Sequence, residues 1–162
     1  MKPTIPSQNT ELLKSLLNKS IISIKRQIFE SDMDLNNYEQ VADGTTEFTF
    51  NNGTVVCFFA MTEINSVGVN DNLMQSYGNS CILLNLSNSL FWQRRINQEI
   101  ETIEILQSTY ASTDNPSEFG VELKFKNGTY VCIEYLNEGD SLDTIRILEK
   151  YEGSQYIRRA IC

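Results

Sequence analysis

The sequence predicts an α+β fold, internally duplicated, in which two helix-plus-four-strand antiparallel units pack with pseudo-twofold symmetry into one domain. Three observations carry that expectation. Residues 47–57 (EFTFNNGTVVC) and 122–132 (ELKFKNGTYVC) agree at seven of eleven positions, at an offset of 75. Upstream, 17–24 (LNKSIISI) aligns with 96–103 (INQEIETI) at an offset of 79. Both copies place apolar residues at regular spacing, and a unit of this size cannot bury its apolar face without its neighbour.

The elements follow in order. Leu13, Leu17, Ile21, Ile24 and Ile28 fit helical spacing, as do Trp92, Ile96, Ile100 and Ile103. β-Branched residues crowd the later part of each run, which favours a short helix and then a strand, although 20–29 and 99–107 also satisfy a helical pattern. Asn9 or Thr10 is placed to cap the first helix, and Asn88 or Ser89 the second. Asn52-Gly53 and Asn127-Gly128 then read as two-residue type I′ hairpin turns. That turn sets Phe50 opposite Val55 and Phe48 opposite Cys57, with Leu123 opposite Cys132 in the second copy. Glu47, Thr49, Glu122 and Lys124 would face water. The returning strands, 55–60 and 130–133, are apolar on both faces and read as central. A fourth strand is expected at 81–86, with its counterpart near 144–148. The first unit spans 10–86, the second 87–151, and 152–162 is a C-terminal tail.

The units can join as two facing sheets, or as one continuous sheet with helices on one side. This element order resembles the Whirly-type architecture, which implies nucleic-acid binding. The charge argues against that function: 13 Lys and Arg stand against 21 Asp and Glu, a net charge of −8, and the pI is near 4.5. Nucleic-acid binding needs basic surface.

Histidine is absent, which removes Ser/His and Cys/His nucleophile pairs, imidazole bases and the commonest zinc ligand. No Gly-rich phosphate loop, nucleophile elbow or calcium loop is present. Glu30, Asp32 and Asp34 lack the glycine turn and closing glutamate of a calcium site and read as a solvated loop. A two-carboxylate hydrolase needs no histidine, but no aromatic-rich cleft accompanies the acids here, and the single Trp92 reads as packing. No catalytic residue, metal or cofactor is expected. Cys57, Cys81, Cys132 and Cys162 form no close pair. Without an apolar leader of signal length or a run long enough to span a bilayer, they read as free thiols in a cytoplasmic protein. Cys57 and Cys132 read as buried, weakly acidic core thiols.

The charge is unevenly placed. Residues 99–143 hold ten acids and two bases, or −8, while the other 117 residues hold eleven of each. Such a segment either solubilises the chain or meets a basic partner, where charge steers encounter. The hairpins Phe50-Asn51-Asn52-Gly53 and Phe125-Lys126-Asn127-Gly128, with the size, acidity and Asn-rich composition, are similar to those of bacterial immunity proteins. The resemblance implies stoichiometric inhibition of a basic toxin, such as a nuclease. The contact residues expected are Glu99, Glu101, Glu104, Glu118, Glu122, Glu138, Asp140 and Asp143. The alternative is a scaffold or ligand-binding module with a pocket between the repeats.

Overall fold

A computed structural model describes residues 4–29, 41–42, 44–71, 81–136 and 144–161. The fold is mostly β. Its strands are β1 (Ile21–Phe29), β2 (Val41–Ala42), β3 (Thr46–Phe50), β4 (Val55–Met61), β5 (Ser66–Asn70), β6 (Cys81–Asn85), β7 (Ile100–Ser108), β8 (Gly120–Phe125), β9 (Tyr130–Leu136), β10 (Thr144–Leu148) and β11 (Tyr156–Ala160). Two α-helices accompany them, α1 (Thr10–Lys14) and α2 (Leu90–Gln93). One antiparallel sheet has the order β5-β4-β3-β1-β6, and the other β10-β9-β8-β7-β11, with the two-residue β2 added outside β10.

The expected α+β class is therefore wrong: each unit contributes five full strands and a single helical turn, where a helix and four strands were expected. The turns are short for a local reason. Asn18 and Asn97 both take φ 65°, a left-handed value no α-helix holds. Each then serves the other unit: Asn18 N–H donates to the Ile100 carbonyl and Asn97 N–H to the Ile21 carbonyl, both at 2.9 Å. Ser20 and Glu99 form an antiparallel bridge between these crossings. What remains of the apolar period is used once per unit, burying Leu13 and Leu16 in the first and Trp92 in the second. Asn9 makes no side-chain cap, whereas Ser89 Oγ accepts from Trp92 N–H.

Besides the two-residue β2, two strands escape the sequence reading. The short β5 contains Gly68, opposite Phe59. A Cβ on Gly68 would sit 2.3 Å from that ring, so the missing side chain is the space the ring fills. The stretch 152–162, read as a tail, contains β11, which pairs along β7. In sheet position β11 corresponds to β6, and β10 to β5, so 81–86 and 144–148 are not counterparts.

The hairpin register also differs. Phe50 N–H donates to the Thr54 carbonyl at 2.9 Å, enclosing a three-residue loop. Only its glycine is left-handed, Gly53 at φ 86° and Gly128 at 89°. A type I′ turn needs two such residues, whereas a type I turn closed by one left-handed glycine needs only one. The pairing shifts by one residue: Phe48 faces Val56, Glu47 faces Cys57, Leu123 faces Val131 and Glu122 faces Cys132.

The sheets stack face to face, with β4 across β9 and β10 and β5 against β8 and β9. Phe48, Phe50, Phe58 and Phe125 are fully buried between them with Ile21, Ile24, Ile100 and Ile103. Burial of each large apolar side chain stabilises the fold by about 2–3 kcal/mol before conformational entropy is counted. Trp92 packs edge-on against Phe48 at 5.4 Å. Among the described residues, no helix is long and apolar enough to cross a membrane.

Candidate functional site

The outward face of the second sheet carries Glu104 of β7, Glu122 of β8 and Cys132 and Glu134 of β9. These alternate with core residues such as Ile105, Leu123 and Ile133. Water does not reach most of this face. The connection from β10 to β11 passes over it, and Tyr151 N–H donates to Glu122 Oε2 at 3.0 Å. Glu122 is 3% exposed and Glu134 5%.

Arginines from β10 and β11 pair with these acids, two against three. Arg158 Nη1 donates to Glu122 Oε1 at 2.6 Å and to Glu104 Oε2 at 3.1 Å. Arg146 donates from Nε at 3.0 Å and from Nη2 at 2.8 Å, both to Glu134 Oε2. Burial works against charge on Arg158, but its bonds to Glu122, Tyr156 and Glu104 outweigh it and raise the pKa. Glu134 shows the reverse balance. Burial pushes its carboxyl above the usual value, and Arg146 only partly offsets that. Burial, with Glu134 nearby, also raises the Tyr151 phenol.

The eight expected contact residues are distributed as follows. Glu104 and Glu122 are brought together on Arg158. Glu118 is buried, accepting from Ser7 N–H at 2.8 Å and pairing with Arg159 at 3.1 Å. Glu99 and Glu101 lie at the other end of β7, with about half their side-chain surface exposed, paired with Lys126 at 2.8 Å and Lys124 at 3.0 Å. Glu138, Asp140 and Asp143, like the Glu30–Asp34 loop and Cys162, lie outside the described residues. Sequence reasoning missed Arg146, Arg158 and Arg159. The signal for the last two was the β-prone pair Tyr156-Ile157 just before them, with Ile161 beyond, in what reads as a tail.

Cys57 and Cys132 are buried thiols that form no disulfide. Burial pushes the Cys57 thiol up to about 12, with Glu47 adding to it, and raises Cys132 further. Neither is a nucleophile in this state. Among the described residues, no group of His, Cys, Asp or Glu is arranged to hold a metal ion.

A pocket of about 350 Å³ opens beside Glu134. Tyr110, Phe119, Tyr135 and Tyr151 contribute aromatic surface, and Ser108, Ser117 and Ser154 contribute hydroxyls. Asn65, from the turn before β5, is the one lining residue from the first unit among the described residues. The pocket therefore lies where the units meet, but at the far end of β7 from the Ser20–Glu99 bridge. Besides the Asn18 and Asn97 pair, three non-glycine residues among those described have positive φ: Asn65 at 48°, Ser117 at 44° and Gln155 at 60°. All three line the pocket, and such conformations are held only where the surroundings enforce them. Comparison with family models, with characterised proteins and with solved structures returns no match for the chain.

Proposed function

We propose that the protein is a non-catalytic acidic binding protein that neutralises a basic protein partner by stoichiometric contact, as a bacterial immunity protein neutralises a nuclease toxin. The observation that supports this reading is where the positive charge goes. Arg146 and Arg158 are turned onto glutamates of the same sheet, and Arg159 onto Glu118 in the connection before β8. The strand arginines therefore offer no basic patch to compete with the surplus of −8.

In this reading the eight acids divide by role. Glu118 and Glu122, buried and paired, fix the sheet rather than meet a partner. Glu104, sharing Arg158 with Glu122, supports it. Glu99 and Glu101 form the contact face proposed here, and Glu138, Asp140 and Asp143 lie outside the described residues. Surface pairs such as Glu99–Lys126 and Glu101–Lys124 contribute about 0–1 kcal/mol, so a partner's arginine can displace the lysine at little cost. Cytoplasmic residence belongs to the same proposal.

The test is affinity capture from the native cell with the tagged chain at low ionic strength. A basic protein retained at a 1:1 ratio, whose nuclease activity falls linearly to zero at equivalence, supports the reading. Retention of acidic or neutral proteins alone would sink it.

A further inference from the structure

We propose that the pocket beside Glu134 binds an organic cation, a guanidinium or ammonium group seated between the Glu134 carboxylate and the rings of Tyr110 and Tyr151. The carboxylate is suited to a further donor: both Arg146 bonds fall on Oε2, which leaves Oε1 as its remaining acceptor. The surrounding network is short of positive charge, since among the described residues Glu104, Glu122 and Glu134 share only Arg146 and Arg158. Burial of Glu134 already penalises its ionised form, so a cation brought into contact relieves a cost that the free protein carries.

The walls have matching chemistry. Aromatic faces attract a partly desolvated cation through the ring quadrupole. Phe119 and Tyr151 pack at 5.0 Å, and Tyr151 and Tyr156 edge-on at 4.8 Å, so the Tyr151 ring is fixed from behind. Tyr110 is tied to the opposite rim by its hydroxyl, which donates to Gln155 Oε1 at 2.9 Å. The left-handed residues Asn65, Ser117 and Gln155 hold three segments in place around the cavity. Its volume, about 350 Å³, lies at the small end of ligand sites and suits a side-chain head or a small amine better than a nucleotide. The inference stands apart from the partner reading, because a small guanidinium compound and an arginine of a protein present the same group.

The experiment is an amide NMR titration with ethylguanidinium, with acetyl-Gly-Arg-Gly-amide, and with methyl glucoside as a neutral polyol. The two cations should produce saturable shifts at Asn65, Ser117 and Gln155 in the millimolar range or below. Glu134→Gln should weaken binding about tenfold, the loss of one charge-assisted contact. Tyr110→Ala, at an exposed rim residue whose loss does not threaten the fold, should weaken it about threefold, and Glu11→Gln should leave it unchanged. Tighter binding of the peptide identifies a protein side chain as the source, and tighter binding of ethylguanidinium a small free cation. The proposal is overturned if neither cation gives a saturable shift, if methyl glucoside binds as well as they do, or if Glu134→Gln and Tyr110→Ala both bind like the parent.

Discussion

Glu122 lies directly opposite Cys132 on the outward face of the second sheet, and Glu47 lies opposite Cys57 in the same way on the first. In each unit a glutamate that alternation assigns to water is instead buried beside a thiol. On the second sheet the β10–β11 connection roofs the pair, and Arg158 supplies the charge that makes burial of Glu122 tolerable. An unpaired buried carboxylate would cost several kcal/mol.

That dependence makes Arg158 a structural residue. Arg158→Ala should destabilise the protein by about 2 kcal/mol, because Glu122 is left buried without a cation. Adding Glu122→Gln should recover part of the loss. Urea unfolding of the two single variants and the double variant gives the coupling, which should exceed about 1 kcal/mol.

The loops should discriminate between the two hairpin geometries. Gly53→Ala and Gly128→Ala should each cost about 1 kcal/mol, since both glycines are left-handed. Asn52→Gly should also destabilise, because Asn52 does not occupy the left-handed region and gains only unfolded-state freedom from glycine. A type I′ turn predicts the opposite sign for Asn52→Gly. Thermal midpoints of the three variants decide.

The repeat and the hairpins are visible in the sequence because they rest on local chemistry: Asn-Gly-Thr loops between β-rich runs, and Ile21 and Ile100 at equal places. The register was not visible, because whether Asn52 or only Gly53 is left-handed depends on the strands' twist, and a one-residue change moves Cys57 from a place opposite Phe48 to the outer face opposite Glu47. β5 was hidden by Gly68, whose role appears only when the Phe59 ring is seen over it. The charge arithmetic failed for a related reason. Residues 99–143 are strongly acidic along the chain, but Arg146, Arg158 and Arg159 lie outside that window in sequence and against it in space.

Thiol reactivity should follow burial. At pH 8, Cys57 and Cys132 should resist iodoacetamide, because both thiols are raised well above that pH. Cys81, partly exposed on the edge strand β6, should be alkylated at least about tenfold faster. Peptide mass spectrometry of the native protein over time reads all three.

Stability should carry a pH dependence traceable to Glu134. Its carboxyl is raised in the folded state relative to the usual 4.5, so the folded protein holds the proton more tightly than the unfolded chain does. The contribution of this group to stability is therefore greatest below 4.5 and declines as pH rises through the folded value. In Glu134→Gln that decline should vanish, leaving a flatter urea midpoint from acid to neutral pH than the parent shows.

The most direct test of the central claim, that an exposed acidic face meets a basic partner while the inner acids serve the fold, is a paired capture from the native cell. The parent chain and Glu99→Lys/Glu101→Lys are compared at low salt, with circular dichroism confirming that both are folded. The account predicts that the parent retains a basic protein and inhibits it at one-to-one stoichiometry, and that the double variant loses it at least about tenfold. Equal retention of that protein by both chains, or retention of no basic protein by the parent, would contradict the account.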